Sequence, residues 1–141
     1  MKTALDTNIL SALWTREPVS SRVATELGVA KSQGAVVISP VVYAELLAHP
    51  LYTEVQVNDF LARTGIRIDL PLMDDVWTEA GRRFAQYAVR RRQSGADAPR
   101  RLLADFLVGA HALYQVDRLM TLDESHFSRY FPEVSLYKMK E

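Results

Sequence analysis

The sequence predicts a three-layer α/β/α domain with a central parallel sheet of four to five strands. Three observations carry this. Short apolar runs recur at Lys2–Leu5, Ala35–Ile38, Ile66–Leu70 and Arg118–Thr121, and segments of helical periodicity separate them. Strands alternating with helices build a parallel sheet covered on both faces. The 141 residues carry 48% hydrophobic and 24% charged side chains, which suits one globular domain spanning residues 1–141.

The elements follow in chain order. Lys2–Leu5 reads as a buried strand, and Asp6–Asn8 as a turn into a short helix over Ile9–Trp14 that Thr7 can cap. Val23, Leu27 and Ala30 lie at helical spacing within Ser20–Lys31, and Gly34 is placed to end that helix. Ala35-Val36-Val37-Ile38 is a β-branched run, followed by Ser39 as N-cap and Pro40 as first helical residue. That helix runs through Glu45 until His49-Pro50, and another covers Glu54–Arg63.

After Gly65, Ile66, Ile68 and Leu70 alternate with Arg67 and Asp69, the pattern of a half-buried strand near a sheet edge. Asp74 is placed to cap a long helix with Trp77, Ala80, Phe84 and Ala88 as its inward stripe and Glu79, Arg83, Gln86 and Arg90 outward. Residues 91–98 read as a polar loop. Pro99 restarts a helix through Tyr114 that is apolar nearly all round. Arg118–Thr121 is a further buried strand, Asp123–Tyr130 a loop or helical turn, and Val134–Tyr137 a final strand. No internal repeat or low-complexity tract interrupts this order.

Composition limits the chemistry. The absence of cysteine excludes disulfides, thiolate metal sites and a cysteine nucleophile, so zinc is not expected. No apolar run approaches the roughly 20 residues that span a bilayer, and no signal-peptide pattern opens the chain; the expected location is the cytoplasm and no membrane partner is expected. Lys plus Arg and Asp plus Glu balance at 17 each, so any attraction to nucleic acid must be local.

Four acids interrupt apolar surroundings: Asp6, Glu45, Asp105 and Asp123. Asp6 and Asp123 come just after strands, while Glu45 and Asp105 lie in early turns of helices. In an open parallel sheet the ligand crevice lies beyond the carboxyl ends of the strands, so all four can reach it. Crowded carboxylates repel one another and take up protons unless a cation neutralises them. Magnesium or manganese suits such oxygen donors and can activate water for in-line displacement at phosphorus. The chemistry implied is phosphodiester hydrolysis.

Leu5-Asp6-Thr7-Asn8, the lone Glu45 in an apolar helix, Ala104-Asp105-Phe106-Leu107 and Thr121-Leu122-Asp123 resemble the successive acidic motifs of PIN-domain ribonucleases. In order, spacing and length the chain is most similar to the VapC-like toxins of toxin-antitoxin pairs. The resemblance implies a magnesium-dependent endonuclease of single-stranded or loop RNA, usually a homodimer held inactive by a cognate antitoxin. It also implies that Asp6, Glu45, Asp105 and Asp123 are the metal-binding and catalytic quartet, with Asn8 and Thr121 as polar neighbours that orient a carboxylate or water.

Simpler roles stand beside these. Asp6 can be a turn residue capping a helix, Asp105 can be half of a structural ion pair with Arg101, and Glu45 can lie on an exposed helix face. Asp97, beside Ala98-Pro99, reads as a helix cap. Arg82, Arg83, Arg90, Arg91, Arg92, Arg100 and Arg101 form the one dense basic region. Arg91, Arg92, Arg100 and Arg101 are its candidate contacts to RNA phosphates or to an acidic partner peptide. His49, His111 and His126 lack metal-binding spacing and read as structural or surface residues. Trp14, Tyr52, Phe60 and Tyr87 read as core or dimer contacts. Two other functions compete with the ribonuclease: an idle RNA- or partner-binding module, and a metal-dependent nuclease acting on DNA.

Overall fold

The computed structural model describes residues 1–95 and 101–140. Strands β1 (Thr3–Leu5), β2 (Val36–Ile38), β3 (Arg67–Ile68) and β4 (Arg118–Met120) form one parallel sheet in the order β3-β2-β1-β4. The helices are α1 (Thr7–Trp14), α2 (Ser20–Gln33), α3 (Pro40–Ala48), α4 (Glu54–Thr64), α5 (Asp74–Gln93), α6 (Leu103–Gln115) and α7 (Glu124–Tyr130). The three-layer expectation holds, with helices flanking the sheet.

The register matters for function. Leu5 pairs with Met120 and Ile38 with Ile68, so the carboxyl ends of neighbouring strands lie level. The chain builds outward from β1 to β2 and β3, then returns to place β4 on the other side of β1. That reversal between β1 and β4 is the topological switch point, where open parallel sheets bind ligands.

Val36–Ile38 of the β-branched run is wholly buried, as continuous apolar strands in a parallel sheet must be. Ser39 caps α3 through its side chain and Pro40 opens the helix. Gly65 ends α4 in the left-handed conformation at φ 72°, which favours glycine. The strand β3 lies at the sheet edge, in keeping with its half-exposed alternation. Phe106–Ala112 of α6 are all buried. Gly109 permits close packing there, since a Cβ would stand 2.3 Å from the Phe131 ring.

Several expectations are corrected. The N-cap of α1 is Asp6 rather than Thr7. Asp74 is the first residue of α5, whose N-cap is Met73. The inward stripe of α5 is phased on Val76, Ala80 and Tyr87, leaving Trp77 54% exposed. Ala80 is common to both stripes, so a one-residue offset at the first turn misassigns the tryptophan. Glu79 and Arg83, expected to face solvent, form a linked ion pair with Glu133 (2.7 and 2.6 Å).

The helix α5 continues through Gln93, three residues into the expected loop, and α6 begins at Leu103. The expectations placed on Asp97, Pro99 and Arg100 lie outside the described residues. The final strand reduces to a single parallel bridge, Leu119 to Leu136. Among the described residues no helix is long and apolar enough to cross a membrane.

Candidate active site at the switch point

The end of β1 delivers Asp6 to the gap between β1 and β4. Its amide still bonds to Met120 in β4 (3.0 Å), while its side chain has left the sheet. One carboxylate oxygen accepts from the Thr7 amide at 2.8 Å, which is the N-cap of α1. The other accepts from the Thr121 hydroxyl at 2.8 Å. The capping role and a site role therefore coincide in one residue.

Thr121 is buried and ties the two halves of the site together. Its hydroxyl donates to Asp6 and accepts from the Asp123 amide (3.0 Å) and, at longer range, from the Asn8 side-chain amide (3.4 Å). Asn8 in turn accepts from the Leu122 amide at 3.1 Å, so its side chain clamps the turn that presents Asp123. Both polar neighbours expected from the sequence thus bond within the cluster, Thr121 joining the end of β1, and Asn8 the start of α1, to the turn after β4.

Thr7 does on the other flank what Thr121 does here. Its hydroxyl donates to Glu45 Oε1 at 2.6 Å and brings α3 to the end of β1. From the sequence Thr7 is expected only as a helix cap; the hydroxyl directly after the acid is the available signal for its second role. Asp105 enters from the first turn of α6, and its carboxylate accepts from the Leu102 amide at 3.1 Å.

Electrostatics show that three of the acids share a neighbourhood. Burial pushes the Asp6 carboxyl up to about 6. The hydrogen bonds from Thr121 and Thr7 pull it down, and the negative charges of Asp105 and Glu45 push it up. An acid that half-protonates near pH 6 is one that lacks a compensating cation.

Asp123 has such a partner. Its carboxylate pairs with Arg101 at 2.5 Å, both side chains being about one-third exposed. The ion pair contemplated between Arg101 and Asp105 is therefore made with Asp123 instead, because the turn after β4 carries Asp123 to the start of α6. Arg101 still feels Asp105, whose charge adds to that of Asp123 in favouring the guanidinium against the cost of burial. Of the other arginines singled out, Arg91 is half-buried and Arg92 exposed at the end of α5.

The donor set fits a hard divalent cation: carboxylate and hydroxyl oxygens, no sulfur, and mutual repulsion that an ion would relieve. Among the described residues no group of three acidic or histidine side chains is already drawn together around a single point. Magnesium commonly needs only one or two carboxylates, with water completing its shell.

Fold and site together define a parallel α/β protein with an acidic centre at the switch point of its sheet. The chain belongs to the PIN domain family, whose model matches residues 3–131. A search of the curated proteins finds no match.

Solved structures share its fold. VapBC2 from Rickettsia felis, bound to a DNA fragment from its promoter, is 22% identical with a TM-score of 0.68, covering 99% of this chain and 100% of that one. VapBC-1 from nontypeable Haemophilus influenzae is 20% identical at TM-score 0.66, with 98% of each chain covered. FitAcB from Neisseria gonorrhoeae is 20% identical at TM-score 0.60, with 96% of each covered.

Proposed function

We propose that this protein is a metal-dependent endoribonuclease, the VapC-like toxin of a toxin-antitoxin pair, acting in the cytoplasm as a homodimer restrained by a cognate antitoxin. The observation that carries the reading is the position of Asp6 at the β1–β4 switch point of a PIN domain, with Thr7 linking it to Glu45 and the charge of Asp105 acting on it. The neighbouring folds, which are VapBC and FitAcB proteins by name, support the toxin assignment.

Asp6, Glu45, Asp105 and Asp123 would hold magnesium or manganese. Such an ion supplies an activated water and charge stabilisation for the attacking and leaving oxygens of an in-line displacement at phosphorus. Thr121 and Thr7 fix the carboxylates of Asp6 and Glu45 by their hydroxyl donors, so the oxygens need not reorganise during the reaction. Asn8 holds the Leu122–Asp123 turn, setting the position from which Asp123 reaches the crevice.

The pairing of Asp123 with Arg101 favours a second reading, a catalytically idle RNA- or partner-binding module in which the arginine permanently neutralises the centre. Cleavage of a panel of structured RNAs with magnesium or manganese separates the two. The ribonuclease reading expects cutting that disappears with chelator and in Asp6→Asn. Folded, partner-free protein that cuts no RNA would establish the idle module, and cutting confined to DNA would move the substrate assignment.

A further inference from the structure

Beside the acidic centre lies a cavity of about 390 Å³ with the opposite character. Arg90 and Arg91 from α5, Arg101 before α6 and Arg129 from α7 line it, with Ser125 and His126, and among the described residues no carboxylate lines it. Its size is at the small end of ligand pockets, which run from about 300 to 1,000 Å³. Arg101 belongs to both places, since it lines the cavity and holds Asp123.

Two features of this cavity lack an internal explanation. Arg90 and Arg129 form no ion pair among the described residues, although convergent guanidinium groups repel one another. His126 is 3% exposed, yet neither ring nitrogen has a hydrogen-bond partner among the described residues. Leaving buried polar atoms unmatched costs about 1–3 kcal/mol, and native proteins tolerate few such groups. Its aromatic neighbours Phe106, Phe127 and Tyr130 hold the ring but offer no donor or acceptor to it. An anion with several acceptor oxygens would answer both deficits, taking forked donors from the arginines and, with a turn of the buried ring, an N–H from the imidazole.

We propose that this cavity is a phosphate subsite that holds the substrate strand's phosphate next to the one cut at the acidic centre, with Arg90, Arg129 and His126 as its principal donors. The assignment rests on the ribonuclease reading for the identity of the strand. Its location follows from Arg101 and Ser125, which lie between the cavity and Asp123 (Ser125 Oγ to Asp123 Oδ1, 3.5 Å). A strand seated there would have its neighbouring phosphate directed to the carboxylates, the positioning that converts binding into a reactive geometry.

Binding is measured with Asp6→Asn protein in chelator, so that no strand is cut, using a fluorescent single-stranded RNA and, separately, inorganic phosphate. Replacing Arg90 and Arg129 together by Ala should weaken RNA binding roughly tenfold or more and flatten its salt dependence. Arg82→Ala, on the same helix but paired with Glu79 and away from the cavity, should leave binding unchanged. Inorganic phosphate should shift the His126 ring signals in NMR spectra and compete with RNA.

RNA affinity unchanged in the double variant, with His126 signals indifferent to phosphate, would overturn the subsite. Phosphate that moves the His126 signals without any arginine-dependent RNA binding would overturn the strand assignment. RNA binding that needs Arg90 and Arg129, in a wild-type protein that cuts no RNA with magnesium or manganese, would support the subsite while removing the nuclease reading.

Discussion

The Thr121 hydroxyl donates to Asp6 Oδ2 across the β1–β4 junction at 2.8 Å, and accepts the Asp123 amide at 3.0 Å. One buried side chain thus sets two of the four acids. Thr121→Val keeps the shape and deletes the hydroxyl. It should destabilise the fold by about 1–3 kcal/mol in denaturant unfolding, because a carboxylate oxygen and an amide lose their partner together. It should also raise the Asp6 pKa further above 6, since the Thr121 hydrogen bond is the largest influence lowering it.

Stability should depend on pH through Asp6. Its carboxyl is raised from 3.8 to about 6 in the folded protein, so between those values the native state binds more protons than the unfolded chain. Stability in metal-free buffer therefore falls as pH rises through that window, by roughly 3 kcal/mol at most. Asp6→Asn should abolish this slope and be the more stable protein above pH 6. Parallel unfolding curves for the two proteins at pH 4, 5, 6 and 7 check this; equal slopes would show that Asp6 is not the titrating group.

Divalent ions should reverse that penalty. With magnesium or manganese at 100 times its dissociation constant, linkage stabilises the native state by about 2.7 kcal/mol. Thermal unfolding should show a rise in Tm for the wild type and a much smaller one for Asp6→Asn or Asp105→Asn. Equal rises in all three would place the ion elsewhere.

Packing around α6 supplies a prediction independent of catalysis. Gly109→Ala puts a methyl group 2.3 Å from the Phe131 ring, a contact that requires the ring or the helix to move. Overpacking of this kind costs typically 1–3 kcal/mol. Gly28→Ala on α2, where a Cβ meets nothing within 4 Å, should instead be neutral or mildly stabilising. Chemical denaturation of the two variants gives the comparison.

Much of this architecture can be read from local signals. The β-branched run before Ser39-Pro40 dictates a strand, a cap and a helix start within a few residues, and all three occur. The placement of Asp6 and Asp123 follows from their positions just after strands. Tertiary pairing is less legible. Nothing local says that Arg101 turns to Asp123 rather than to Asp105, or that Thr7 reaches Glu45, 38 residues away. Trp77 shows the limit of periodicity: a stripe displaced by one residue satisfies the same pattern until the packing of α5 on α6 selects the phase. The histidine in the basic cavity could not be found by motif, because its distinguishing property is the absence of a hydrogen-bond partner among the described residues.

The pairing of β1 with β4 has a temporal side. Thr121, Asp123 and the Met120 carbonyl that receives the Asp6 amide are made more than a hundred residues after Asp6 itself. Ribosomes add roughly 5–20 residues per second, so for several seconds the nascent chain carries Asp6 without its β4 partners. A chain interrupted before residue 118 lacks the strand against which the crevice is built. Premature termination or early proteolysis therefore leaves the acidic centre unfinished.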